Sequence, residues 1–219
     1  EICACLVGSE MCIRDSGAYA GTEKQQICLS YAYGDGKESS CENTVNSVQR
    51  LFYNIPINTY FSLDLDGIAA LNDSIGGVDV VSPETIGDFV EGQSYHLVGQ
   101  QAESFVRTRD TSKVDSNNMR MQRQKVYIQS FMNTVIQQTK KDLTTPLDLF
   151  NASAPYSCTN LNPSKVTYLA QQAVLGGMNG IDMLSVPGQV KMGSKYAEFN
   201  VSEAEFYQMF LSIYYTKIE

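Results

Sequence analysis

Two hydrophobic periodicities alternate along the chain, and together they predict alternating helices and strands. Between residues 40 and 54, apolar side chains recur every three or four positions, which is typical of a helix with one buried face. Asn58 to Leu65 alternates apolar and polar positions, which indicates a strand. A helix over Asp66 to Ser74, closed by Gly76-Gly77, and a strand over Val78 to Val81 follow. This rhythm predicts an α/β fold, layered α-β-α, with a central mixed β-sheet flanked by helices.

The rest of the chain continues this pattern with shorter elements. Ile27 to Tyr33 reads as a short helix or strand, and residues 139 to 160 as a polar connection without a regular element. The further predicted elements are a strand at Tyr95 to Val98, helices at Gln100 to Phe105, about Asn118 to Gln138 and Asn162 to about Val174, strands at Ile181 to Val186 and Tyr196 to Phe199, and a helix at Glu203 to Tyr215.

Basic side chains concentrate in one stretch of an acidic protein. The formal net charge is -8 at pH 7, yet six of the sixteen Lys and Arg residues lie between residues 107 and 125. They are Arg107, Arg109, Lys113, Arg120, Arg123 and Lys125. If Phe105 to Arg109 is extended, Arg107 and Arg109 point to the same side. On a helix that begins near Asn118, Arg120 and Gln124 lie one turn apart on one face, with Arg123 beside them.

This arrangement suits an anionic ligand. Guanidinium groups bind phosphate oxygens in pairs, and helix N-termini favour anions. We therefore interpret the stretch as a site for a phosphate or diphosphate group. The alternative, that the arginines are solvated or paired with local carboxylates, is the usual situation for surface charge. This alternative is less favoured here because apolar residues interleave with the basic ones and indicate a buried face. These apolar residues are Phe105, Val106, Met119 and Met121.

Composition excludes several classes of protein. A chain of 219 residues makes one large domain or two small ones. The sequence contains no run of eighteen apolar residues, which is the length that would indicate a membrane-spanning helix. An isoelectric point of about 4.7 is unfavourable for binding nucleic acid, which argues against a DNA-binding regulator.

The six cysteines and the single histidine indicate no metal site. The first three cysteines fall within the opening sixteen residues, form no CxxC pair and have no histidine nearby. Cys28, Cys41 and Cys158 are scattered singly, and either a Cys41–Cys158 disulfide or buried thiols fit this pattern. His96 lies in a short polar strand, where we expect a surface residue.

Residues 1 to 16, EICACLVGSEMCIRDS, differ in character from the rest. Their apolar part is short and lacks the basic flank of a signal peptide. The segment resembles a translated sequencing adapter of the kind found in assembled environmental sequence data. We therefore expect residues 1–16 to be foreign, and residues 17–219 to form a domain whose own N-terminal part is missing.

Three blocks of the sequence resemble successive motifs of the LytR-CpsA-Psr family of cell-envelope glycopolymer transferases. The blocks are YFSLDLDGIAALNDSIGGVDV, VGQQAESFVRTRD and NNMRMQRQ, and their order and spacing both match. The resemblance covers roughly residues 24 to 140, and the remainder is similar to the family's C-terminal part. The family's N-terminal blocks, with a transmembrane anchor, metal-binding aspartates and an Arg-Asp motif, are not identifiable. Arg14-Asp15 lies in the segment expected to be foreign and is not counted.

The resemblance implies a membrane-anchored enzyme of mainly Gram-positive bacteria that acts on the extracellular face of the cell membrane. Such an enzyme moves teichoic acid or capsular polysaccharide from a polyprenyl diphosphate carrier to peptidoglycan. Arginines hold the diphosphate, Mg²⁺ assists, and the lipid lies in an apolar tunnel between sheet and helices. On this basis the chain holds about half of an active site, and as a fragment it is expected to bind poorly or to be inactive.

The resemblance also assigns roles to residues. Arg107 and Arg109 match the family's Arg-x-Arg pair, and Arg120, Arg123 and Gln124 match its Arg-x-x-Arg-Gln motif. The implied catalytic residues are Arg107, Arg109 and Arg120, and all five side chains are implied to bind diphosphate. The candidate acid or base is Asp115, and the metal ligands are expected in the missing N-terminal part.

Two other functions stay open from the sequence. The same arginines suit a non-catalytic module that binds an anionic glycolipid or wall polymer. They also suit a hydrolase that cleaves polyprenyl diphosphate with water as the acceptor. All three functions share the anionic ligand and differ in what happens to the phosphate bonds.

Overall fold

The computed structural model describes residues 14–15, 25–110, 116–178, 180–181, 183–192 and 197–216. The chain divides into two compact units, which we call the terminal unit (Glu1–Asn58 with Leu184–Glu219) and the central unit (Thr59–Met183). The five arginine and glutamine residues of the predicted site all belong to the central unit.

The central unit contains five helices and four strands among its described residues. They are β3 (Phe61–Leu63), α3 (Asp66–Ser74), β4 (Val78–Val81), β5 (Ser94–Leu97), α4 (Gln100–Arg107), α5 (Ser116–Lys141), α6 (Thr145–Ser153), β6 (Ser157–Thr159) and α7 (Pro163–Leu175). The strands form two antiparallel pairs, β3 with β6 and β4 with β5.

A hydrophobic core joins the β4–β5 pair to helices α4 and α5. Alternation along β4 buries Val78 and Val80 and exposes the residues between and after them, because successive strand residues point to opposite faces. Phe105 of α4 and Tyr127 of α5 belong to the same buried cluster. The Phe105 ring meets the Phe89 ring edge-on, with the ring centres 5.0 Å apart. This core sets the end of α4 against α5, where the candidate site lies.

The terminal unit has its own elements and its own core. Its elements are β1 (Arg14–Asp15), β2 (Gln25–Gln26), α1 (Ile27–Ala32), α2 (Glu38–Leu51), β7 (Gly188–Met192), β8 (Ala197–Val201) and α8 (Glu203–Tyr214). Strands β1 and β2, and likewise β7 and β8, pair antiparallel. Ile27, Val48, Val186 and Phe206 form the buried cluster, and Tyr53 stacks on Phe206.

The α/β class is confirmed, and among the described residues the strands appear as four two-stranded antiparallel pairs. Helix α3 and strand β4 have the predicted limits. The predicted double-glycine turn is confirmed, because Gly76 and Gly77 have φ of 80° and 92° and close the helix with backbone hydrogen bonds to Asp73 and Asn72. The predicted helix at Asn162 is also confirmed: the Asn162 side chain accepts a hydrogen bond from the Lys165 backbone N–H.

The prediction for residues 139–160 is wrong. This stretch contains the end of α5, the whole of α6, a short 3-10 turn at Ala154–Tyr156 and strand β6. Pro146 lies in the first turn of α6, a position that proline favours because its missing N–H costs nothing there. The sequence interpretation took this stretch, with Pro146 and Pro155, as a polar connection.

The predicted strand at Ile181 to Val186 is also wrong. The residues of that stretch which the structure describes belong to no strand, and strand β7 begins instead at Gly188. Gly188 pairs with Val201, and a Cβ there would lie 2.4 Å from the Asn200 carbonyl oxygen. Glycine therefore permits the close approach of two strands at a position that reads in the sequence as a turn.

Candidate functional site

Arg107 and Arg109 lie at the C-terminal end of α4 and not in a strand. Helix α4 continues through Arg107, and the backbone becomes extended only at Thr108, with φ of -53° and ψ of 135°. The predicted extended segment is therefore wrong, because helical hydrogen bonding runs two residues further than expected. The Arg107 side chain is 63% exposed and donates from Nη1 to Glu103 Oε1 at 2.7 Å, one helical turn earlier. Arg109 is exposed.

Helix α5 carries the other three predicted residues in its first turns. It begins at Ser116, two residues earlier than predicted, and ends at Lys141. Arg120 and Gln124 are half-buried and lie one turn apart, whereas Arg123 is buried. Lys113 and Asp115, the candidate acid or base, fall in residues 111–115, outside the described part of the chain.

Arg123 is the largest fully buried side chain among the described residues, with no exposed surface. Its Nε donates to Glu84 Oε1 at 2.7 Å. Burial lowers the pKa of the Arg123 guanidinium, and the Glu84 carboxylate opposes that change. The sequence interpretation placed Arg123 beside the other arginines as a ligand for diphosphate. In the structure it faces the protein interior, paired with an acidic residue that the sequence did not single out.

The two Nη groups of Arg123 bind backbone carbonyls in and directly after the last turn of α4. Nη1 donates to the Phe105 carbonyl and Nη2 to the Thr108 carbonyl. Gln124 Nε2 donates to the Val106 carbonyl at 3.2 Å. The last carbonyls of a helix lack partners within the helix and carry partial negative charge, so a guanidinium and an amide are suitable caps. The Arg-Gln pair of α5 thus caps α4.

Arg120 belongs to the same neighbourhood. Its charge acts on Arg123, where it adds to the lowering of that pKa. Because Arg123 binds the carbonyls on either side of Arg107, the region around Arg120 is tied to the segment that carries Arg107 and Arg109. The structure therefore brings the two basic segments together at the junction of α4 and α5. Binding of a ligand by these residues stays a prediction.

Glu84 could not be predicted from the sequence as a member of this site. It lies in the loop after β4 and is 39 positions away from Arg123 along the chain. Ser82, which is buried, donates from Oγ to the Glu84 carbonyl at 2.7 Å and holds this loop. The sequence showed only an acidic residue soon after strand β4. Such a residue does not indicate which basic side chain it will pair with.

Four other predictions concern metal binding, thiols, the histidine and a membrane-spanning helix. Among the described residues, no group of three or more His, Cys, Asp or Glu side chains is placed to hold a metal ion. Cys41 and Cys158 are not joined in a disulfide. His96 is exposed, as expected, and its Nδ1 lies 2.8 Å from Asp79 Oδ1. No helix in the described ranges combines the length and apolar character needed to cross a membrane.

Comparison with known proteins gives a consistent result. The sequence matches the LytR_cpsA_psr family over residues 11–212. The polyisoprenyl-teichoic acid–peptidoglycan teichoic acid transferase TagU of Enterococcus faecalis is 30% identical over 127 residues, which is 56% of this chain and 40% of that protein. The protein of the same name from Bacillus cereus is 28% identical over 173 residues, 76% of this chain and 52% of that protein.

A solved structure shares the fold. The crystal structure of TagU from B. subtilis has a TM-score of 0.63 and 18% sequence identity, and covers 95% of this chain and 84% of that one. The chain spans a smaller share of the two sequence relatives, about two fifths to half of their lengths.

Proposed function

Because this chain belongs to the LytR_cpsA_psr family, we propose that it acts as a transferase that attaches an anionic glycopolymer to peptidoglycan. The polymer, of the teichoic acid or capsular type, would come from a polyprenyl diphosphate carrier on the extracellular face of the membrane. The named activity of the TagU relatives supports the polymer and the acceptor. The family resemblance suggests the carrier and the membrane anchor.

The junction of α4 and α5 is the observation that carries the proposal. Arg107 and Arg109 at the end of α4 and Arg120 in α5 would bind the non-bridging oxygens of the diphosphate. The surroundings of Arg107 support a role in binding diphosphate. Most of its side chain is exposed, and one N–H group donates to Glu103. The pairing with Glu103 restricts the guanidinium and leaves its remaining N–H groups for a ligand.

In the proposed reaction, a hydroxyl oxygen of the acceptor bonds to the phosphorus that carries the polymer. The phosphoanhydride bond to that phosphorus breaks, polyprenyl phosphate leaves with the electron pair, and the hydroxyl proton passes to a base. Negative charge grows on the leaving phosphate, so fixed guanidinium groups stabilise the transition state more than the ground state. Asp115 stays the candidate base.

The Mg²⁺ implied by the family resemblance stays a prediction as well. The described residues contain no group of carboxylates suited to it. We assign no step of the reaction to the metal ion, and we propose that the arginines contribute charge stabilisation in the described residues.

A transfer assay with Arg107→Ala tests the proposal. We expect label on a lipid-linked polymer to move to peptidoglycan, and the variant to lose at least about tenfold in rate, since one charged hydrogen-bonding group contributes roughly 1.4 kcal/mol or more. The matched control is Lys141→Ala, which removes one positive charge at the other end of α5. Equal rates for the two variants would contradict the proposal.

The same assay separates the alternatives. Release of the labelled polymer into solution would indicate a hydrolase that uses water. Label that remains on the lipid while the protein still binds it would indicate a binding module. Either result, obtained with the full-length protein, would replace the transferase proposal.

A further inference from the structure

We propose that Glu84 and Arg123 form a buried clamp that positions the Arg107–Arg109 segment, and that Arg123 acts through this backbone instead of touching the diphosphate. The inference rests on the proposed function, in which Arg107 and Arg109 bind the ligand. It changes the role of Arg123, which the sequence placed among the ligand-binding residues. It also adds Glu84, a residue to which no role is assigned by motif.

The clamp begins with a charge pair in the interior. Arg123 has no exposed side-chain surface, and the Glu84 side chain is 11% exposed. An unpaired guanidinium at such a position would be strongly destabilised, because transfer of a charge out of water is costly. The Nε–Oε1 bond of 2.7 Å offsets part of that cost. The pair therefore depends on both partners, and removal of either leaves a buried charge.

The clamp ends on the segment that carries the exposed arginines. Arg123 donates to the carbonyls of Phe105 and Thr108, which stand on either side of Arg107. Gln124 donates to the intervening Val106 carbonyl. Helix α4 ends inside this span, so its final carbonyls would otherwise need water. Hydrogen bonds from α5 thus fix the backbone before Arg107 and directly before Arg109.

Arg123 has little capacity left for a ligand. A guanidinium has five N–H groups, of which three donate to Glu84 and to two backbone carbonyls. The side chain also has no exposed surface, so a phosphate oxygen could reach the other two N–H groups only if the surrounding protein moved. Burial and these three hydrogen bonds both favour a positioning role.

Glu84 is itself held by the connection between β4 and β5. Ser82 is buried, donates from Oγ to the Glu84 carbonyl, and exchanges backbone hydrogen bonds with Gly92 and Gln93. The clamp therefore connects three parts of the central unit: the loop after β4, the end of α4 and the first turns of α5. A substitution in any of these three parts would therefore shift the positions of Arg107 and Arg109 without a direct contact to either residue.

Calorimetric titration with inorganic diphosphate tests the clamp in the intact chain. We expect Glu84→Gln, which keeps the shape and removes the charge, to weaken binding by about tenfold. We expect Glu84→Gln to add little to a variant that combines Arg107→Ala with Arg109→Ala, because residues that act through one another are not additive. Amide hydrogen exchange should become faster at residues 108–110 in Glu84→Gln and remain unchanged in α7.

A milder variant keeps the test valid if Glu84→Gln unfolds the protein. Ser82→Ala removes one hydrogen bond to the Glu84 carbonyl without changing any charge, and we expect the same effects at smaller size. Wild-type binding by both clamp variants, or weaker binding with unchanged exchange at residues 108–110, would overturn the clamp. A direct ligand role for Arg123 would be shown if Arg123→Lys, combined with Arg107→Ala and Arg109→Ala, lost a further tenfold or more.

These outcomes are distinct from failure of the proposed function. If Arg107→Ala binds diphosphate as the unaltered protein does, the assignment of the ligand site fails, whatever the clamp variants do. If Arg107→Ala binds weakly and the clamp variants bind normally, the ligand site stands and the clamp does not.

Discussion

Arginine residues in this chain have different roles although their side chains are chemically identical. Arg107 is mostly exposed and is held by a glutamate one turn earlier, whereas Arg123 is buried and bound by acceptors from two other segments. The difference comes from position relative to the core. Arg107 is the last residue of α4, while Arg123 lies on the face of α5 that packs against the end of α4.

Tyr127 provides a prediction at the same scale. Its hydroxyl donates to Asn72 Oδ1 at 3.2 Å, and Asn72 Nδ2 donates to the Leu97 carbonyl at 2.8 Å. Burial raises the pKa of Tyr127 well above its ordinary value of 10.0. The phenol therefore stays neutral in the folded state at pH values where it ionises in the unfolded chain. Its contribution to stability is complete below pH 10 and decreases as pH rises above that value.

As pH rises from about 9 to 11, we expect the free energy of unfolding to fall less in Tyr127→Phe than in the unaltered protein. At neutral pH the variant should be less stable by roughly 1 kcal/mol, because one buried hydrogen bond is lost. Urea unfolding at several pH values measures both effects, with the exposed Tyr168→Phe as control. Parallel pH profiles for Tyr127→Phe and the unaltered protein would show that this tyrosine does not set the alkaline limit.

Elements of the central unit depend on local signals at their ends and on neighbours for their position. Helix α3 ends where Gly76 and Gly77 take positive φ, and strand β4 begins at the next residue. Helix α4 ends where two of its carbonyls, and that of Thr108 directly after it, find donors on α5 and not in its own sequence. The first boundary could be predicted from the chain alone, whereas the second could not.

The two glycines of the α3–β4 turn should respond differently to alanine. Both have positive φ, so each replacement costs about 1 kcal/mol in backbone strain. A Cβ at Gly77 would also lie 2.9 Å from the Leu97 carbonyl oxygen and 2.6 Å from His96 Nε2, while a Cβ at Gly76 meets nothing within 4 Å. We therefore expect Gly77→Ala to lower the urea midpoint more than Gly76→Ala. Equal midpoints would mean that the β4–β5 pair adjusts without cost.

The whole molecule carries a net charge of -8, opposite in sign to the cluster at the junction of α4 and α5. A polyanion should be repelled at long range and attracted at contact. The Debye length decreases from about 30 Å at 0.01 M salt to about 8 Å at 0.15 M, so salt removes the long-range repulsion first. We expect the association rate of purified teichoic acid with the immobilised protein to rise over this range.

A charge variant checks the source of this effect. Glu203→Gln with Glu205→Gln replaces two exposed carboxylates at the start of α8 and changes the net charge from -8 to -6, since -8 + 2 = -6. The variant should associate faster at 0.01 M and at the same rate as the unaltered protein at 0.15 M. A rate that decreases steadily with salt in both proteins would show that the arginine cluster dominates at all distances.

Predictions from the sequence succeeded where the signal was contained in a few neighbouring residues. Helix α3, strand β4 and the asparagine cap of α7 depend on periodicity, a glycine pair and one side-chain hydrogen bond. The strand predicted at Ile181 to Val186 failed because pairing decided the outcome. The apolar run at Ile181 to Val186 has strand-like composition, but a strand needs a partner strand. Strand β8 pairs with the residues from Gly188 onward instead.

The sequence by itself determined the concentration of guanidinium groups in an acidic chain, the α/β rhythm and the resemblance to a family, because these are properties of composition and of short-range spacing. Only the tertiary structure decided which guanidinium is buried and which is exposed. Solvent exclusion and hydrogen-bond acceptors set that difference, and the acceptors for Arg123 come from residues 15, 18 and 39 positions away.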